Sequence, residues 1–238
     1  MFGIDVLSAS ALLVLASAQK PVCPAHDPTA INVIPRTEDV EFDTSQTLKE
    51  IQNYNMDTVD PYGFHGKSIT QAFMSGGIER KHQVKLNYGP IEGYRNAVCI
   101  WYEDITVELS IDPTIVVASE LYDDRCMRGA LIDHEMKHIR VDRELVNEHA
   151  RAIGQKLMSE LKSRGFSSGP ISGDNAQSVA KKMHHVVGQI LQLEYQKLDI
   201  DRLERQRAVD NLDEYNRVDD ICPDFRKKKK ELYSDLVE

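Results

Sequence analysis

The strongest chemistry in the sequence sits in one short stretch, Ile132-Asp133-His134-Glu135-Met136-Lys137-His138-Ile139, where His134, Glu135 and His138 form an H-E-x-x-H pattern. Residues four apart on an α-helix lie one turn apart on the same face, so both imidazoles can reach one metal ion with the Glu135 carboxylate beside it. Zn2+ held by two imidazoles and a carboxylate lowers the pKa of its water and polarises a carbonyl oxygen. Glu135, as catalytic base, can take the water proton and deliver it to a leaving amine. The chemistry implied is hydrolysis of an amide bond. It requires a third protein ligand and an open coordination position.

The positioning elements follow from periodicity. With Asp123 or Asp124 as N-cap, a helix is expected over about 124–163, and Leu131, His134, His138, Val141 and Leu145 fall at 3-4-3-4 spacing on its inward face. Gly165, Gly169, Pro170 and Gly173 mark a loop. A second helix is expected over about 176–215, with a break after Arg207 and the inward stripe Val187, Leu191, Glu194, Leu198, Asp201 and Arg205. A short loop makes the two helices antiparallel neighbours. Upstream, alternating or β-branched runs at His82–Tyr88, Ala97–Ser110 and Thr114–Ala118, the last two separated by the Asp112-Pro113 turn, predict a small antiparallel sheet over 82–118. The fold class expected is α+β: the sheet, then an αα-hairpin carrying the H-E-x-x-H helix, in a single domain over 61–238. The polar, acidic segment 19–60 reads as a poorly packed N-terminal extension.

The third ligand has to come from elsewhere in this frame. Glu144 lies about 15 Å along an unbroken helix from His134 and is rotated away, and Asp142 is also too far along the axis. Residues equidistant from the hairpin loop face each other, which sets His138 opposite roughly Asp201 and His134 opposite roughly Arg205. Asp201 is the first candidate, Glu194 the second and Glu204 the third, since register at such boundaries is good to about a turn. His184 and His185 fall near the far end of the first helix and are expected at the surface or partly buried. Tyr122, Tyr195, Arg205 and Tyr215 are candidates to stabilise an oxyanion, and the Thr114–Ala118 strand could pair its edge with an extended peptide.

His134-Glu135-Met136-Lys137-His138 after a strand-rich segment, with a carboxylate on a following helix, resembles the zincin metallopeptidases. Within them it resembles the gluzincin-like arrangement and the poorly characterised, presumed zinc-dependent proteases exported by bacteria. The match covers these five residues and their setting. It implies His134 and His138 as zinc ligands, Glu135 as general base and a peptide or protein as substrate. Lys137 departs from the uncharged residues usual between the glutamate and the second histidine, a change the pattern accommodates when the lysine points outward.

Composition sets the bounds. The chain has 238 residues, 41% of them hydrophobic, and a formal net charge of −9, which supports a real core and excludes the concentrated basic surface that nucleic acid needs. Residues 1–18 read as a signal peptide: an apolar run from Val6 to Leu15, then the small-x-small Ala16-Ser17-Ala18, although no Lys or Arg precedes the run. The run is too short to span a bilayer, so no integral membrane segment is expected after cleavage. Four cysteines without C-x-x-C spacing suit two disulfides in an exported, periplasmic or secreted protein, and Cys99–Cys126 and Cys23–Cys222 are the pairs expected. The competing class is a non-enzymatic helical envelope interaction protein, its histidines buried or holding a structural metal. The sequence leaves substrate and oligomeric state open.

Overall fold

A computed structural model of the chain describes residues 21–52 and 69–234. The expected signal peptide at 1–18 lies outside the described residues. In chain order the first elements are β1 (Ala30–Thr37), β2 (Glu41–Asp43), α1 (Leu48–Ile51), β3 (Ala72–Ser75), β4 (Ile78–Pro90), β5 (Ala97–Ile111) and β6 (Thr114–Val117). They are followed by α2 (Ser119–Tyr122), α3 (Arg125–Arg164), β7 (Ser167–Ser172), α4 (Ala176–Val209), α5 (Leu212–Ile221) and α6 (Phe225–Ser234). The fold is α+β, as the pattern of runs predicts.

β5 is the spine of the larger sheet. Its period-2 alternation puts Ile105, Val107, Leu109 and Ile111 in the core, each at most 2% exposed. β4 pairs with it antiparallel from Ile78↔Ile111 to Pro90↔Val98, with a register shift between Lys85 and Leu86. β1 pairs with it in parallel, and β7 pairs antiparallel with its first residues. The sheet expected over 82–118 is therefore two sheets. After Asp112-Pro113 the chain leaves the first, and β6 becomes the middle strand of a second, ordered β2-β6-β3. Flanked on both sides, β6 has no edge to offer a peptide, which corrects the role expected for Thr114–Ala118.

The N-terminal segment also differs from expectation. Far from being poorly packed, β1 adds a parallel strand whose Ile31 and Val33 pack against the main core. Its partner lies some seventy residues downstream (Ala30↔Asp104), and local polarity carries no trace of a pairing at that distance. The 165–175 loop likewise contains β7 and a 3-10 turn, Gly173–Asn175.

α3 starts where the Asp124 side chain accepts the amides of Cys126 and Met127, and ends in the basic turn of Lys162 and Arg164 before Gly165 at φ 98°. At 40 residues it is about 60 Å long and joins two cores. Its first half packs Met127, Ala130, Leu131 and Ile139 against the β2-β6-β3 sheet, and against Val218, Cys222 and Phe225 from the C-terminal helices. Its second half packs Val146, Ala150, Ile153, Leu157 and Leu161 against β5 and α4. No helix among the described residues is long and apolar enough to cross a membrane.

Two disulfides form, Cys23–Cys99 and Cys126–Cys222, and they correct both expected pairings. The parallel register explains the first: with Ala30 opposite Asp104, residues preceding β1 run back beside the start of β5, toward Cys99. Cys126, in the first turn of α3, meets the residue just after α5. Such bonds persist in oxidising compartments. Replacing Cys126 and Cys222 together by serine is expected to cost about 2–4 kcal/mol of stability, read as a lower urea midpoint; an unchanged midpoint would show that the bond contributes nothing.

Candidate metal centre

His134 and His138 sit one turn apart in the first half of α3, each 8% exposed, with their Nε2 atoms 3.4 Å apart. The third member of the cluster is Asp210. Its Oδ1 is 3.1 Å from His138 Nε2 and 3.4 Å from His134 Nε2. These three buried residues form the one group among the described residues whose ligand atoms converge closely enough to hold a metal ion.

Asp210 owes its place to a helix corner. α4 ends at Val209, and the Asp210 amide still donates to the Gln206 carbonyl. Asn211 then caps α5, its side chain accepting the Glu214 amide at 2.9 Å. The expected break after Arg207 thus carries the candidate third ligand itself. Asn211-x-x-Glu214, with Asp213 in the same first turn, is the sequence signal for a helix start that would have located the corner and Asp210 with it.

The hairpin register is shifted from the one expected. His138 meets Gln206, five residues beyond Asp201 on α4. Asp201 instead accepts from Arg205 at 2.9 Å and pairs with His149 at 3.2 Å, so it does not join the His134 and His138 cluster. The error traces to the connection: β7 and its following turn make the 165–175 segment asymmetric, so counting outward from its centre misplaces the partners. Glu194 is buried and bound by Lys197 at 2.6 Å. Glu204 and Glu144 are exposed, as are His184 and His185, the last two as expected. Tyr122 lies under Arg128 and Tyr195 under Arg80, while Arg205 is engaged by Glu148 and Asp201. The Tyr215 side chain lies outside the described residues.

A second ring of polar groups orients the first. His134 Nδ1 faces Glu214 Oε1 at 3.3 Å, and His138 Nδ1 faces Gln206 Oε1. A carboxylate only accepts, so His134 Nδ1 carries a hydrogen, and Nε2 is the ring nitrogen turned toward the cluster. Glu214 is clamped in turn by Arg217, at 2.7 and 3.0 Å, and by Lys137. Lys137 therefore does not simply point to solvent: it helps hold the carboxylate behind His134.

Electrostatics show what the cluster demands. Burial opposes a charged His138, but the Asp210 hydrogen bond and charge, with Glu135 and Gln206, outweigh it and raise its pKa to about 9 in the metal-free protein. Burial would raise Asp210, but hydrogen bonds and charge from both histidines hold it down at about 2. A cation belongs among these atoms, and without a metal a proton takes its place. Glu135 is 4% exposed. Its burial, together with the Asp210 charge, pushes its pKa up against the two histidines and the Met74 backbone amide that donates to it.

That amide belongs to an edge strand. Gln71 accepts from Ala118 of the β6 side, so in the antiparallel ladder the backbone groups of Ala72 and Met74 point away from β6. No strand among the described residues pairs with that edge, which leads to Glu135.

Comparison with protein-family models, with curated proteins and with solved structures finds no match to this chain.

Two outcomes follow from the geometry. Asp210→Ala is expected to weaken metal binding by more than the roughly 10–100-fold typical of outer-sphere partners, whereas Asp201→Ala leaves it unchanged, both measured by chelator competition; the reverse order would reinstate Asp201. Glu214, held down at about 2 by the Arg217 hydrogen bond, then by Lys137 and His134 against its burial, contributes stability that is full above its ordinary value of 4.5 and is lost as pH falls toward 2. In metal-free protein the urea midpoint should fall over that window, and fall less in Glu214→Gln.

Proposed function

We propose that the protein is an exported zinc-dependent metallopeptidase, with His134, His138 and Asp210 as ligands and Glu135 as general base. The observation that carries this reading is the ligand triangle. Zinc bonds of about 2.0–2.1 Å in a tetrahedral site put neighbouring ligand atoms about 3.3–3.4 Å apart, and the three edges here are 3.1, 3.4 and 3.4 Å. Two imidazole nitrogens and one carboxylate oxygen are also the donor set of catalytic zinc sites that keep a position open. When bound, zinc supplies Lewis acidity and a water acidified to near neutrality.

The remaining work falls to the chain. Glu135 adjoins the ligands, and its raised pKa suits a group that must take a proton from water and then release it to a leaving amine. The open edge of β3 can accept an extended peptide as an added strand, which gives sequence-tolerant affinity through main-chain hydrogen bonds. Peptide docking there would compete with Glu135 for the Met74 amide and free the carboxylate. Export is supported by the two disulfides and by the apolar run ending in Ala16-Ser17-Ala18. A non-enzymatic interaction protein with a structural metal is the second reading, favoured by Leu193, Ile200 and Leu203, which leave an apolar stripe exposed on α4.

One pair of measurements separates the two. Untagged, dialysed protein should retain about one zinc per chain, as expected of one such site, and cleave members of a peptide library. Glu135→Gln should keep the zinc and lose about 10²–10⁴-fold in rate. Retained zinc without cleavage by either protein would leave only the structural role.

A further inference from the structure

The His138 ring is held by a chain of polar groups that reaches α4 and returns to α3. Arg202 Nε and an Arg202 terminal nitrogen donate to the two Asp142 oxygens at 2.8 and 3.0 Å. Gln206 Nε2 donates to Asp142 Oδ1 at 2.8 Å and to the His138 carbonyl at 3.2 Å. Gln206 Oε1 then faces His138 Nδ1. Asp142 and Gln206 are 2% and 5% exposed, so water cannot easily substitute for any link.

Each link has only one chemically consistent direction. A guanidinium can only donate, and an ionised carboxylate can only accept. Asp142, fixed as an acceptor by Arg202, must therefore face the amide nitrogen of Gln206. The backbone carbonyl of His138, also an acceptor, demands the same orientation. The amide oxygen is then left for the ring, so His138 Nδ1 must carry a hydrogen, and Nε2 is the nitrogen turned toward His134 and Asp210, where it holds a proton in the metal-free protein and can give its lone pair to a metal.

We propose that Arg202, Asp142 and Gln206 are positioning residues that dictate which nitrogen of His138 binds the metal. This inference rests on the metal-centre reading and assigns a role in it to three residues that do not touch the ion. Asp142, whose distance from His134 along the helix excludes it as a ligand, acts through the neighbouring helix instead. The relay also fastens α3 to α4 at the level of the site, since Asp142 and Arg202 bridge the two helices one turn from His138 and Gln206.

A donor–acceptor swap tests it in the full-length protein. Asp142→Asn is isosteric but can offer an N–H to Gln206, which favours a flipped amide that presents its own N–H to His138 Nδ1. Zinc affinity by chelator competition should fall about 10–100-fold, the range for outer-sphere partners. Gln206→Glu alone sets two carboxylates against each other and should weaken binding similarly. When Asp142→Asn and Gln206→Glu are combined, the amide introduced on α3 can donate to the carboxylate introduced on α4. That carboxylate can only accept from His138 Nδ1, but it leaves the His138 carbonyl without its donor, so affinity should recover in part, to tighter than either single variant, an outcome that a purely packing role does not produce.

In zinc-loaded protein, the His138 nitrogen-15 shifts should show a protonated Nδ1 and a metal-bound Nε2 in the wild type and in the double variant. If Asp142→Asn unfolds the chain, recovery in the double variant still supports the relay. A double variant no tighter than the two single ones, or an Asp142→Asn protein that binds as tightly as wild type, overturns it. A wild type that holds no zinc overturns the metal reading and this inference together.

Discussion

Three buried acceptors cannot share a space 3.4 Å across without a positive charge among them. His134 Nε2, His138 Nε2 and Asp210 Oδ1 are brought together in that way, and the surrounding structure is arranged to tolerate it. The two histidines come at no conformational cost to each other, because a single rigid turn of α3 spaces them. The third member has to be delivered from another helix, and it is delivered at a corner where the backbone changes direction. A residue in mid-helix would have its side chain fixed by the regular rise; Asp210, at the end of α4, sits where two helices meet over α3.

Charge alternates outward from that centre. Beyond the histidines lie acceptors, Glu214 and the oxygen of Gln206, and beyond these lie Asp142 with its cation Arg202, and the cations Arg217 and Lys137. Buried carboxylates are costly when left alone and tolerable when paired and hydrogen-bonded. Glu214 and Asp142 each meet an arginine through two of its nitrogens, the geometry that holds a carboxylate in one orientation. Glu135 stands apart from this pattern. It accepts from the Met74 backbone amide and, among the described residues, is paired with neither an arginine nor a lysine.

What could be read from the sequence followed the range of the interactions involved. The α3 boundaries, the inward face of His134 and His138 and the strands β4 and β5 depend on local periodicity and capping, and these are legible in the sequence. β1 and both disulfides depend on partners roughly seventy to a hundred residues away, and no window of sequence contains them. Counting from a symmetric hairpin loop points to Asp201, while the 165–175 connection spends six residues as a strand of the main sheet. The corner at Asp210 was nonetheless written locally, in the helix-start pattern from Asn211 to Glu214. Lys137 shows a different limit: a pattern can mark a residue as unusual without naming the partner that explains it.

The Cys126–Cys222 bond closes a loop that contains His134, His138 and Asp210. The centre therefore belongs to the closed loop rather than to the five-residue pattern. A fragment that ends between residues 138 and 210 keeps His134-Glu135-Met136-Lys137-His138 intact and lacks Asp210. During synthesis the same holds for the growing polypeptide, which has displayed its whole motif for more than seventy residues before Asp210 is even made.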